Sequence, residues 1–199
     1  FTYGSVTING SDGDDVIWSN DGNDTINGKA GNDTIVLGTG VDTLVFNGIT
    51  SATNGSDLIS VFQSSDKYNF ASSLNNGSIN NLSNNIIDFG SPASLTDHQT
   101  SISVQNNQVY IAEVLDTGKI DTPQEMVTAL TDTDGILDAV DVNAGANSIL
   151  IIGGTTQYIY GVSNDTTAAI TLSEIELLAT VATDLTGGIK GLTLDNFIF

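Results

Sequence analysis

The 199-residue chain carries 24 Asp and Glu against four Lys and no Arg, a net charge of −20. Phosphate binding needs clustered bases, so nucleic acid is excluded as a partner and anionic membrane surfaces are disfavoured. Cysteine is absent, which removes disulfides, thiolate metal sites and thiol nucleophiles. Only four of the acids are Glu (Glu113, Glu125, Glu174, Glu176). Asp favours turns and hard cations where Glu favours helices. The apolar share of 39% is enough to bury a core despite the charge. No apolar run approaches the roughly 18 residues that span a bilayer, so no membrane insertion is expected. The chain opens on Phe1 with no signal peptide, and reads as the C-terminal part of something longer.

A period of nine governs the first 45 residues. The units run Gly10–Trp18, Ser19–Asn27, Gly28–Val36 and Leu37–Val45. The fourth position is always Gly (Gly13, Gly22, Gly31, Gly40) and the sixth always Asp (Asp15, Asp24, Asp33, Asp42). The eighth is always a large aliphatic (Ile17, Ile26, Ile35, Leu44). An upstream unit keeps Gly4 and Ile8 but has Val6 where Asp belongs. Gly permits a positive-φ turn, and the Asp after it can cap that turn or hold a cation. The residues after Asp form a short strand with the eighth position pointing inward. One unit cannot bury a single aliphatic side chain, but coils stacked about 4.8 Å apart can, which predicts a parallel β-solenoid. Successive units lie on opposite sides of the coil, so Asp15 stacks on Asp33 and Asp24 on Asp42. Such carboxylate pairs repel unless a cation such as Ca²⁺ lies between them, with turn carbonyls completing an oxygen shell. Asp12 and Asp21 sit in the same turns, as further ligands or as solvated acids.

The pattern resembles the RTX repeat of bacterial proteins exported by type I secretion, whose motif is Gly-Gly-x-Gly-x-Asp-x-aliphatic-x. The match covers about a quarter of the chain. It departs at the second Gly, kept only as Gly38, and at the first, replaced by Ser19 and Leu37. The resemblance implies an all-β fold, a parallel β-roll (calcium solenoid) followed by further β-structure with one short helix. It implies bound Ca²⁺ at Asp15, Asp24, Asp33 and Asp42, with Asp12, Asp21, Gly13, Gly22, Gly31 and Gly40 around the ions. Residues 1–70 are then the RTX β-roll, and 71–199 a mostly β C-terminal region with a secretion signal.

Downstream, Asp57–Phe62 and Asp66–Phe70 look like the segment that closes such rolls. Val61 and Asn69 are not acids, so Asp57 and Asp66 read as turn residues rather than ligands. Asn75–Asn85 is a loop. Gln108–Val114 alternates as a strand, and Ser148–Ile152 with Gln157–Val162 forms a hairpin through Gly153-Gly154. Thr122-Pro-Gln-Glu125 is a capping box that opens the expected helix, with Met126, Val127 and Leu130 on its apolar face. Ser173–Glu176 reads as a helix start or as part of a strand. Asp132, Asp134, Asp138 and Asp141 form a second acidic cluster, either a cation loop or solvated acids. It is not an EF-hand, because Gly135 arrives too early. The ending Leu194–Phe199 resembles an uncleaved C-terminal secretion signal and also reads as a final strand.

No enzyme is expected within these residues. The single His, His98, lies beside Asp97 with only chance neighbours in Ser94 and Ser101. Trp18 falls at an outward position, to be packed on a neighbouring element or left as a contact. The richness in Thr, Asn, Ala and Gly without Arg or Cys resembles S-layer proteins. The expected role is therefore the calcium-binding C-terminal module of a secreted, extracellular or cell-surface protein, an S-layer subunit or adhesin. Its partners would be calcium, the type I secretion machinery, and further copies of itself or surface polysaccharide. The alternative is the secretion and folding module of a secreted protease or lipase.

Overall fold

A computed structural model describes residues 4–74, 86–88, 103–104, 108–113, 141–142, 147–153, 156–163, 172–183, 185 and 191–198. The nonapeptide units each give one three-residue strand: β1 (Thr7–Asn9), β2 (Val16–Trp18), β3 (Thr25–Asn27), β4 (Thr34–Val36) and β5 (Thr43–Val45). A one-turn helix, α1 (Ser51–Asn54), precedes β6 (Asp57–Phe62) and β7 (Lys67–Asn69). The C-terminal part supplies β8 (Ile86–Asp88), β9 (Ser103–Val104), β10 (Gln108–Glu113), β11 (Asp141–Val142), β12 (Asn147–Gly153), β13 (Thr156–Ser163), β14 (Ile175–Thr183) and β15 (Phe197–Ile198).

Odd and even strands of the roll separate onto two sheets. One sheet runs β1-β3-β5-β7-β15, the other β2-β4-β6-β14-β13-β12-β10-β8, and β11 pairs with β9 apart from both. Within the roll every pair is parallel and in register, so Ile8 lies beside Ile26 and Ile17 beside Ile35. The fold is a parallel β-roll, as the spacing predicts. Because side chains alternate across a strand, the central residue of each triplet points inward. Ile26, Ile35, Leu44, Ile59 and Tyr68 are all buried between the sheets.

The regular 18-residue coil breaks once. Thr25 pairs with Thr43, but Thr43 pairs with Lys67 and Thr34 with Leu58, a step of 24 residues. The extra six residues carry α1, whose first turn rests on Glu176 of β14 through Ser51 N–H and Oγ, both at 2.5 Å from Oε2. From there the core turns aromatic. Phe62 stacks on Tyr68 with ring centroids 4.3 Å apart, and Phe46, Phe70 and Phe197 surround them. The Tyr68 hydroxyl donates to Gln157 Oε1 at 2.8 Å, tying the roll to β13.

The C-terminal region continues both sheets: β14 adds parallel to β6, and β15 parallel to β7. The hairpin read from Gly153-Gly154 is present as antiparallel β12–β13. Gln108–Glu113 is a strand parallel to β12. Ser173 and Glu174 belong to a single 3-10 turn, Leu172–Glu174, and Glu176 to β14, so the helical reading there ends after one turn. The capping box at Thr122, the Asn75–Asn85 loop, His98 and all of the second acidic cluster except Asp141 lie outside the described residues. Asp141 begins β11. Among the described residues no helix is long and apolar enough to cross a membrane.

Candidate metal centre

The sixth-position aspartates sit at the entrance to each strand, on the inner side of the turns. Asp24, Asp33 and Asp42 are buried, while Asp15, on the first coil, is part-exposed. The carboxylates of Asp24, Asp33 and Asp42 each span two coils, whereas that of Asp15 accepts the N–H and hydroxyl of Ser11 in its own turn, at 2.6 and 2.9 Å. Asp33 Oδ1 accepts the main-chain N–H of Asp15 at 2.9 Å. Asp24 Oδ1 accepts that of Val6 at 2.8 Å, and Asp42 Oδ1 that of Asp24 at 2.9 Å. The alternate-unit stacking of Asp15 with Asp33 and of Asp24 with Asp42 is thus a hydrogen-bonded ladder.

That ladder continues past the repeat. Asp57 Oδ1 accepts the N–H of Asp33 at 3.0 Å, and Asp66 Oδ1 that of Asp42 at 2.9 Å. Both side chains are buried. Asp57 is not a turn residue but opens β6 as the next rung, and Asp66 is both a rung and a turn residue, its Oδ2 accepting the Gln63 N–H at 2.7 Å; the six-residue insertion displaces both. Sequence spacing missed them because the period changes from 18 to 24 just before they appear.

A second ladder runs the opposite way through the fifth position. Asp14 Oδ1 accepts Asn32 N–H at 2.7 Å, Asn23 Oδ1 accepts Val41 N–H at 2.9 Å, and Asn32 Oδ1 accepts Ser56 N–H at 2.9 Å. These residues escaped the sequence reading, although Asp or Asn at the fifth position of three units is the signal for them. Asp12 and Asp21 are exposed, and Asp21 accepts the Thr39 hydroxyl at 2.9 Å.

At Gly22, Gly31 and Gly40 the turns hold positive φ and leave little or no room for a side chain, whereas Gly13, on the first coil, has open space around it. A Cβ on Gly40, where φ is +138°, would lie 1.8 Å from the Gly22 carbonyl oxygen. Gly22, Gly31 and Gly40 thereby stack closely on the main chain of Gly4, Gly13 and Gly22 in the coil before. Where the second Gly of the unit is replaced, Asn20 and Lys29 hold φ of 65° and 70°. Asn tolerates that conformation, whereas Lys29 carries its strain.

One oxygen of each inner carboxylate is left over. Oδ2 of Asp24, Asp33 and Asp42 is buried and has no hydrogen-bond partner. A buried, unpaired carboxylate oxygen is costly unless a proton or a cation meets it. Accordingly, burial pushes the Asp33 and Asp42 carboxyls up, with the neighbouring Asp15 and Asp24 charges adding to it. Asp57 is pushed up to about 8, chiefly by burial and then by the charge of Asp33. Asp15 is held below the usual carboxylate range, first by the Ser11 N–H and hydroxyl, with Lys29 helping. The donor set, hard carboxylate and carbonyl oxygen with no nitrogen or sulfur, fits Ca²⁺. Among the described residues no three acids or imidazoles converge on one point. An ion here would thus be shared by carboxylates of neighbouring coils and completed by the turn carbonyls.

Comparison with protein-family models agrees with this geometry. The model of the RTX calcium-binding nonapeptide repeat matches residues 9–44, in four copies. These repeats bind Ca²⁺ and occur in secreted bacterial proteins. No curated protein and no solved structure matches the chain. Residues 9–44 therefore hold four calcium-binding RTX repeats, and the aspartate ladder that starts in them continues to Asp66.

Proposed function

We propose that this chain is the calcium-binding module of a type I secreted cell-surface protein, of the S-layer or adhesin kind, which folds outside the cell. The buried, unpartnered Oδ2 atoms of Asp24, Asp33 and Asp42 carry the reading. On a chain of charge −20, those carboxylates oppose folding until a cation arrives. Cytosolic calcium is low, so the chain would leave the cell unfolded. Extracellular modules bind at roughly 10⁻⁴–10⁻³ M, a concentration met outside. No catalysis is expected of the module, since without Cys and Arg the usual nucleophile–base sets and anion clamps are short of members. At a surface, acidic turns of neighbouring molecules would share ions.

Calcium titration of the purified chain, followed by circular dichroism, light scattering and electron microscopy, tests both halves of this reading. Expected are a β-signal that appears at sub-millimolar to millimolar calcium and ordered oligomers or sheets at the upper end of that range. A spectrum and melting temperature unchanged by chelator would refute the calcium role. A folded, strictly monomeric protein at millimolar calcium would instead favour a passive secretion and folding module on an enzyme.

A further inference from the structure

The two outer faces of the roll differ. On the β1-β3-β5-β7 side the outward residues are mainly Thr and Asn, among them Thr7, Asn9, Thr25 and Asn27. On the other side β2, β4 and β6 present Val16, Trp18, Val36 and Leu58, with Thr34 and Ser60 between them. The register aligns these as two rows, Val16–Thr34–Leu58 and Trp18–Val36–Ser60. Val16 is 73% exposed, Trp18 67% and Leu58 53%. The sequence expectation that Trp18 packs on a neighbouring element is corrected: its indole lies open on the sheet. No ionisable side chain stands in either row, on a protein of charge −20. A flat, uncharged strip combining apolar and hydroxyl groups on so acidic a molecule calls for a ligand.

Size and charge choose among the candidates. The exposed apolar side chains stand on three strands about 4.8 Å apart, and beyond them the sheet continues into β14, where half-buried Thr180 follows Leu58 in its row. A stable protein interface needs about 800 Å² per partner, more than Val16, Trp18 and Leu58 present by themselves, so these side chains alone do not hold a second copy or another protein. A polyanion is repelled by the surrounding field, and a cationic partner would seek the acidic turns rather than the one uncharged strip. What fits is a short run of rings in a neutral chain, each with an apolar C–H face and hydroxyls at its rim. We propose that this face binds an uncharged polysaccharide: a sugar ring stacks on the Trp18 indole, its neighbours lie over Val16, Val36 and Leu58, and their hydroxyls bond to Thr34 and Ser60. The site requires the roll to be folded but not any particular parent protein.

Trp18 is the only tryptophan in the chain, so intrinsic fluorescence reports on this face alone. The calcium-loaded protein is titrated with cellohexaose, chitohexaose and mannohexaose, with oligogalacturonate as the anionic control. The expected result is a saturable change in Trp18 emission with at least one neutral oligosaccharide and none with the anion. By calorimetry, Trp18→Ala should weaken that binding roughly tenfold or more, as removal of an aromatic anchor does, and Trp18→Phe should restore most of it. Circular dichroism of both variants should match the parent, because the side chain points outward. No response to any neutral sugar would overturn the proposal. So would equal binding of the anion, full affinity in Trp18→Ala, or an emission that shifts with protein concentration alone, which would assign the face to a second copy.

Discussion

A single aspartate in this roll does two jobs with two oxygens. Oδ1 of Asp42 closes the turn of the coil before it by accepting the Asp24 N–H, and Oδ2 is buried without a hydrogen-bond partner. Burial raises the carboxyls of Asp33, Asp42 and Asp57, and those shifts set the sign of the pH response. Asp57, Asp33 and Asp42 bind protons more tightly folded than unfolded, where an Asp titrates near 3.9. Their contribution to stability is fully present below about pH 4 and is lost as pH rises, for Asp57 through about 8. In chelator, the protonated roll should therefore keep a melting transition near pH 5 that shifts down and is lost towards pH 8. In millimolar calcium the ion takes the place of the proton, and the trend should flatten or reverse. Thermal melts by circular dichroism check both arms, and a chelated protein with no pH dependence would contradict the assignment.

At the scale of the element, the ladder and the ion can be separated by substitution. Asp42→Asn keeps an oxygen to accept the Asp24 N–H and removes the charge. It should fold at least as well as the parent in chelator and bind about one calcium fewer by calorimetry. Asp42→Ala removes both functions and strands a buried N–H, at about 1–3 kcal/mol, with or without calcium. If the two variants behave alike, the carboxylate has one role and not two. The same elements explain how much was legible beforehand. Strands β2 to β5 could be placed from spacing, since each depends on Gly, Asp and an aliphatic within one nonapeptide. Asp57 and Asp66 could not, because a local pattern cannot reveal that a chain re-enters a stack after a six-residue detour. Nor could the exposure of Trp18, which depends on what does or does not pack against β2.

Across the whole molecule, the roll and the C-terminal region share their sheets. β6 and β7 would be open edges without β14 and β15, and Tyr68 would lose Phe197 and its hydrogen bond to Gln157. Asn196, buried at the same end, donates to the carbonyls of Ser64 and Asp66 at 2.9 and 2.7 Å and so ties down the last ladder turn. A fragment ending at Leu74 should accordingly fail to gain β-signal at calcium concentrations that fold the full chain, because its aromatic end is bare and its edges unpaired. Equal calcium-induced folding of the two would show that the roll needs no such cover.

The sequence by itself determined the coil. The nonapeptide dictates a glycine turn, an Asp at the strand entrance and one inward aliphatic, and the excess of Asp dictates a hard cation. These are short-range consequences of residue type and period. The tertiary structure alone decided where the coil stops and what joins it. β14 lies next to β6 and β15 next to β7 across more than a hundred residues of chain. That pairing is governed by edge hydrogen bonds and by the fit of Phe62, Tyr68, Phe70 and Phe197 at the end of the roll. Such contacts between distant segments leave no period in the sequence to be read.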